Sequence, residues 1–81
     1  MVTYVYGFHP VIELLTSQPS KVKKLILAKE IKTSKRQKLL ILAQEKDVPV
    51  KIYPRMYLDK LLEKTTSKPV HQGILAVLKE F

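Results

Sequence analysis

Apolar and polar positions follow two rhythms along this chain, one of period two and one of period 3.6. Tyr4-Val5-Tyr6 reads as a short strand closed by Gly7. Val11, Leu14 and Leu15 then fall at i, i+3 and i+4, which lines one face of a helix. Pro10 suits the first turn of that helix, because its missing N–H would be unpaired there anyway. Ser17, Pro19 and Ser20 end it. Val22 to Ala28 follows, with Leu25-Ile26-Leu27-Ala28 as an unbroken apolar run, the signature of a strand covered on both faces.

Thr33 and Ser34 open a second helix, and Ser34 with Gln37 has the spacing of a capping box. Leu39, Leu42 and Ala43 form its buried face, and Asp47 and Pro49 stop it. Val50-Lys51-Ile52 alternates as a strand does. Pro54 starts a third helix whose inward face is Leu58, Leu61 and Leu62. Thr65 to Val70 reads as a polar, lysine-bearing loop, and Gly73 leads into the apolar strand Ile74-Leu75-Ala76-Val77-Leu78.

Strand and helix thus alternate three times before a last strand. The order predicts an α/β domain: a small mixed, mostly parallel four-stranded sheet with its three helices distributed over both faces. In such a sheet the loops after the strand carboxyl ends share one edge. Those loops are Gly7-Phe8-His9, Lys29 to Arg36, and Tyr53-Pro54-Arg55. The helix N-termini, which favour anions, would face the same edge. An antiparallel last strand would bring His71-Gln72-Gly73 there too.

Composition narrows the partner. Fifteen basic residues against seven acidic ones leave a net charge of +8, an excess that suits a polyanion. A solvated lysine-rich surface is the bland reading of the same excess. The chain has no cysteine, which removes disulfides, thiolate nucleophiles and cysteine-held zinc, and makes a reducing cytoplasm the default compartment. Met1 to Tyr6 lacks the features of a signal peptide. The apolar runs fall far short of the roughly 18 residues of a membrane span. At 81 residues the chain is one domain with a thin core. Two glycines exclude a Gly-rich phosphate loop, and two histidines alone do not make a typical metal site. Stand-alone catalysis is therefore poorly supported by the residues.

Two short segments carry the remaining chemistry. In Gly7-Phe8-His9-Pro10-Val11, Gly7 permits a turn or a close backbone approach, and His9 can donate to a phosphate or stack on a base. In His71-Gln72-Gly73, Gln72 can bond a base edge and His71 a ribose or phosphate. Each segment also has a structural reading, as a helix start and as a strand entry. Lys32, Lys35 and Arg36 crowd the start of the second helix, where cations are mildly unfavourable, so they lean towards binding. Lys38, Lys46, Lys60 and Lys64 lie along helices and read as solvated, while Lys23 and Lys24 stay ambiguous. Phe8, Tyr53 and Tyr57 are candidate stacking platforms, or ordinary packing.

Taken together, Tyr6-Gly7-Phe8-His9-Pro10-Val11-Ile12-Glu13-Leu14-Leu15 and His71-Gln72-Gly73-Ile74-Leu75-Ala76 closely resemble the N-terminal substrate-binding domain of SpoU (TrmH-type) RNA 2′-O-ribose methyltransferases. Leu25-Ile26-Leu27, Arg36 and Val48-Pro49-Val50 fit the middle of that pattern. The resemblance implies a fold like that of ribosomal proteins that bind kink-turn RNA. His9 stands where those proteins usually carry asparagine. It further implies an RNA partner, ribosomal ahead of transfer RNA, with neither DNA nor membrane. The whole of residues 1–81 would be the RNA substrate-binding domain of a longer, cytoplasmic, homodimeric enzyme. Its separate catalytic domain would hold S-adenosylmethionine and dock against this one, which would carry no cofactor itself. The expected RNA-contact set is Gly7, His9, Val11, Lys32, Lys35, Arg36, Arg55, His71, Gln72 and Gly73. Two other readings fit the residues: a stand-alone kink-turn-type RNA binder, and a docking domain whose charge is incidental.

Overall fold

The computed structural model describes residues 3–63 and 72–79. The chain runs β1 (Tyr4–Tyr6), α1 (Phe8–Ser17), a 3-10 turn (Pro19–Lys21), β2 (Val22–Ala28), α2 (Thr33–Glu45), β3 (Val50–Tyr53), α3 (Arg55–Glu63) and β4 (Ile74–Leu78). The strands form a single sheet in the order β1-β4-β2-β3.

The apolar run of β2 explains the two-sided packing. Side chains alternate between faces along a strand. Leu25 and Leu27 therefore join Val11 and Leu15 of α1 and Leu39 and Ala43 of α2 on one face. Ile26 and Ala28 join Leu58 and Leu62 of α3 on the other. The strand β4 repeats this division, with Ile74 and Ala76 on the first side and Leu75 and Val77 on the second. A fully buried leucine of this kind contributes about 1.5–3 kcal/mol. Helices thus cover both faces, as the periodicity predicts. Leu61, expected inside with Leu58 and Leu62, is half-buried at the rim of the second cluster.

The sheet is mixed, but it is not mostly parallel. Only β2 and β3 pair parallel; β4 lies between β1 and β2 and runs antiparallel to both. A continuous apolar run reports burial on two faces and carries no strand direction. Here two central strands buried on both faces pair antiparallel. The direction is set where β4 begins: Gly7 N–H donates to Ile74 O at 3.1 Å, and Ala28 N–H to Gly73 O at 2.8 Å. Both bonds sit at the edge where β1 and β2 end.

The second helix also starts differently from the capping-box reading. Lys32 is extended, at φ −60° and ψ 141°, and occupies the N-cap without a side-chain hydrogen bond. Ser34 lies inside the first turn, too far along to cap it. At the other end, Asp47 takes φ 57° and the Val48 N–H returns to Ala43 O at 2.8 Å. Aspartate tolerates that left-handed conformation, so it ends the helix where sequence placed the stop.

Candidate nucleic-acid interface

Because β1, β2 and β3 all point the same way, the three helix N-termini and the start of β4 share one edge of the sheet. The first loop is shaped by Gly7, whose φ of +100° only glycine adopts without strain. Its N–H is fixed to β4, and its carbonyl accepts the Val11 N–H at 3.2 Å, closing the first turn of α1. The Phe8 N–H would be unpaired within the helix, and it donates to Gln72 Oε1 at 3.0 Å. The α1 turn and the β4 entry are thereby one unit.

His9 follows, exposed, its ring edge-on to Phe8 at 5.4 Å between centroids. Phe8 is half-buried against the first core cluster. Lys35 Nζ and Lys38 Nζ of α2 lie 5.3 and 5.8 Å from the centre of its ring. These are cation–π distances. They draw the second helix's cations to the first helix's start. From its place along the helix Lys38 reads as solvated, yet it joins this cluster. Its spacing from Lys35, three residues on one helix face, was the available signal.

The neighbouring loop is braced from within. Arg36 Nη2 donates to the Lys29 carbonyl, and Arg36 Nε is buried without an acceptor. The Lys29 N–H donates to Tyr53 O at 3.0 Å, tying the ends of β2 and β3 together. Glu30 accepts from the Arg55 N–H, with its two oxygens at 3.1 and 3.4 Å. The N-terminus of α3 therefore already faces a carboxylate. None of the three helices carries an acidic residue in its own first turn, so the Glu30 carboxylate is what sets the α3 N-terminus apart from those of α1 and α2. The anion-favouring part of the edge is thus α1 and α2, not α3. Nothing local in the sequence marks Glu30 for this task, because its partner is 25 residues away.

Three of the expected contact residues are buried: Gly7 at the turn into α1, Val11 and Gly73. Val11 is fully buried, so its side chain is core and not surface. Gly73 is also buried, at φ +75°; a Cβ there would overlap an Ile31 methyl and lie 3.0 Å from Ala28 Cβ. It makes room for the β2–α2 loop. Gly7, His9, Lys35 and Gln72 are gathered around Phe8. Lys32 is exposed at the start of α2, and Arg55 is exposed at the start of α3. His71 lies outside the described residues.

The family described as RNA 2′-O ribose methyltransferase substrate binding matches residues 4–81. The chain belongs to it. This substrate-binding domain of the SpoU methyltransferases also shares its fold with a solved structure, archaeal translation termination factor aRF1. There the TM-score is 0.65 at 18% identity, over 95% of this chain. The chain corresponds to 20% of the length of that factor. No curated protein matches it. The family name carries methyl transfer, which S-adenosylmethionine supplies. Among the described residues the cavities are open surface grooves, one of them lined by Tyr4, Tyr57, Lys60, Leu61 and Glu63. Among the described residues, no helix is long and apolar enough to cross a membrane, and no group of three His, Asp or Glu side chains could hold a metal.

Proposed function

We propose that this domain is the RNA-recognition module of a SpoU-type 2′-O-ribose methyltransferase. The observation that carries the reading is the edge at Phe8. In a chain of the substrate-binding family, it gathers His9, Gln72, Lys35 and Lys38 around one helix start. Lysines 32, 35 and 38 meet phosphates there. His9 meets a ribose, a phosphate or a base face. Gln72 has its carboxamide oxygen on Phe8 and keeps its N–H₂ to offer a base edge. Arg36 and Gly73 serve by shaping the loop, and Arg55 lies at the flank of the site.

In the parent enzyme, a separate catalytic domain would bind S-adenosylmethionine and move its methyl group to a ribose 2′-hydroxyl. This domain supplies the grip. Holding the target ribose beside the donor turns a bimolecular encounter into an effectively unimolecular one and lowers the entropic barrier. Ribosomal RNA is the first substrate to test, with transfer RNA second.

Salt dependence tests the reading. If four phosphates are neutralised on unpaired RNA, the log–log slope of affinity against salt is about −3. Fluorescence anisotropy with structured ribosomal and transfer RNA fragments measures it. A flat profile contradicts the proposal.

A further inference from the structure

The other face of the sheet carries a groove that the edge site does not use. Its floor includes Tyr4 and Ile26, and its wall is Tyr57 and Leu61 of α3. The wider part of this open groove has a volume of about 760 Å³, within the size range of small-ligand clefts. Lys23, Lys24 and Lys60 stand around it, and among the described residues that line it Glu63 is the one carboxylate.

Two features make this more than a patch of surface lysines. The first is a bulge in β2. Neighbouring residues of a regular strand point to opposite faces. The register of β2 against β4 shifts between Val22 and Lys24, and such an extra residue bends the strand and re-aims its side chains. Lys23 and Lys24, adjacent in sequence, consequently line the same groove. The second is an aromatic pair. Tyr53 packs against the core, and its ring lies 4.3 Å from that of Tyr57 at a tilt of 33°. Tyr57 is thus held in place while remaining 40% exposed.

A held aromatic ring in a groove lined by cations matches an unpaired nucleotide: the base stacks on the ring, and the flanking phosphates meet the lysines. We infer that this groove is a second RNA-contact surface, which takes one unpaired base on Tyr57 and the adjoining backbone on Lys23, Lys24 and Lys60. The inference rests on RNA being the ligand of the chain, but not on the Phe8–Gln72 edge being its contact.

The test titrates the 81-residue chain with single-stranded decauridylate, followed by NMR and by fluorescence anisotropy. Resonances of Lys23, Lys24, Tyr57 and Lys60 are expected to shift. Tyr57→Ala is expected to weaken binding about tenfold, while Tyr57→Phe, which keeps the ring, leaves it nearly unchanged. Lys23→Ala with Lys24→Ala, both on a strand surface, is expected to flatten the salt slope by about 1.4. Unshifted groove residues at saturating RNA would mean that the groove faces something else, such as a protein surface, and would overturn the inference. Affinity unchanged by Tyr57→Ala and by the double lysine variant would overturn it as well. Neither result touches the edge site, whose own lysines are Lys32, Lys35 and Lys38.

Discussion

The Gln72 carboxamide accepts a hydrogen bond from the Phe8 N–H at 3.0 Å, across 64 residues of sequence. The turn that leads into the last strand thereby caps the first helix. The same side chain keeps donors free at the centre of the proposed RNA edge, so one residue couples the fold to its function.

Substitutions at Gln72 separate those two roles. Gln72→Ala removes the cap and places a Cβ residue without a polar side chain at φ 57°. The expected loss is about 1–2 kcal/mol, read by urea unfolding. Gln72→Glu keeps the acceptor and adds a charge favourable to the helix N-terminus, so stability should hold. RNA affinity should fall nonetheless, because the free donors are replaced by a negative charge. A glutamate variant that binds RNA as well as the parent chain would remove Gln72 from the interface.

Lys35 and Lys38 converge on Phe8, at 5.3 and 5.8 Å from its ring centre. The double variant Lys35→Ala with Lys38→Ala should reduce the steepness of the salt slope by about 1.4, two phosphate contacts' worth. Lys46→Ala, at the far end of α2, serves as the control and should leave the slope almost unchanged. Equal effects from the two would mean that binding follows total charge and not this edge.

Gly73→Ala tests the space under Ile31. The added Cβ overlaps the Ile31 methyl and sits on a backbone at φ +75°. Overpacking and backbone strain together predict a loss of about 2–4 kcal/mol in thermal or urea unfolding. A near-neutral outcome would show that the β2–α2 loop gives way easily.

Much of this arrangement was legible in the residues, and the illegible parts have physical causes. Helix and strand positions followed from the spacing of apolar residues such as Val11-Leu14-Leu15 and from the continuous run at Leu25–Ala28. Gly7 and Gln72-Gly73 could be placed at one edge only on the condition that β4 runs antiparallel. That condition depends on hydrogen bonds such as Ala28 to Gly73, which no local pattern encodes. The family resemblance puts Val11 at the RNA, but the side chain lies in the core, on the apolar face that its spacing with Leu14 and Leu15 marks. The bulge that turns Lys23 and Lys24 to one side is likewise invisible in a polar pair at a strand's start.

Glu30 offers a test of the internal bracing. Its carboxylate faces the Arg55 N–H, so Glu30→Ala should cost about 1 kcal/mol of stability through loss of the α3 cap. The same variant removes a negative charge beside the edge and should raise RNA affinity slightly at low salt. A drop in both quantities would indicate that the loop collapses without its cap.

The central claim is that RNA meets this domain at the edge shared by α1, α2 and the start of β4. The most direct measurement is NMR chemical-shift mapping of the chain titrated with structured ribosomal and transfer RNA fragments at two salt concentrations. The account predicts shifts clustered at Gly7–His9, Lys32–Lys38 and Gln72–Gly73 that shrink as salt rises. Edge residues that stay in place while shifts scatter over distant lysines would contradict it.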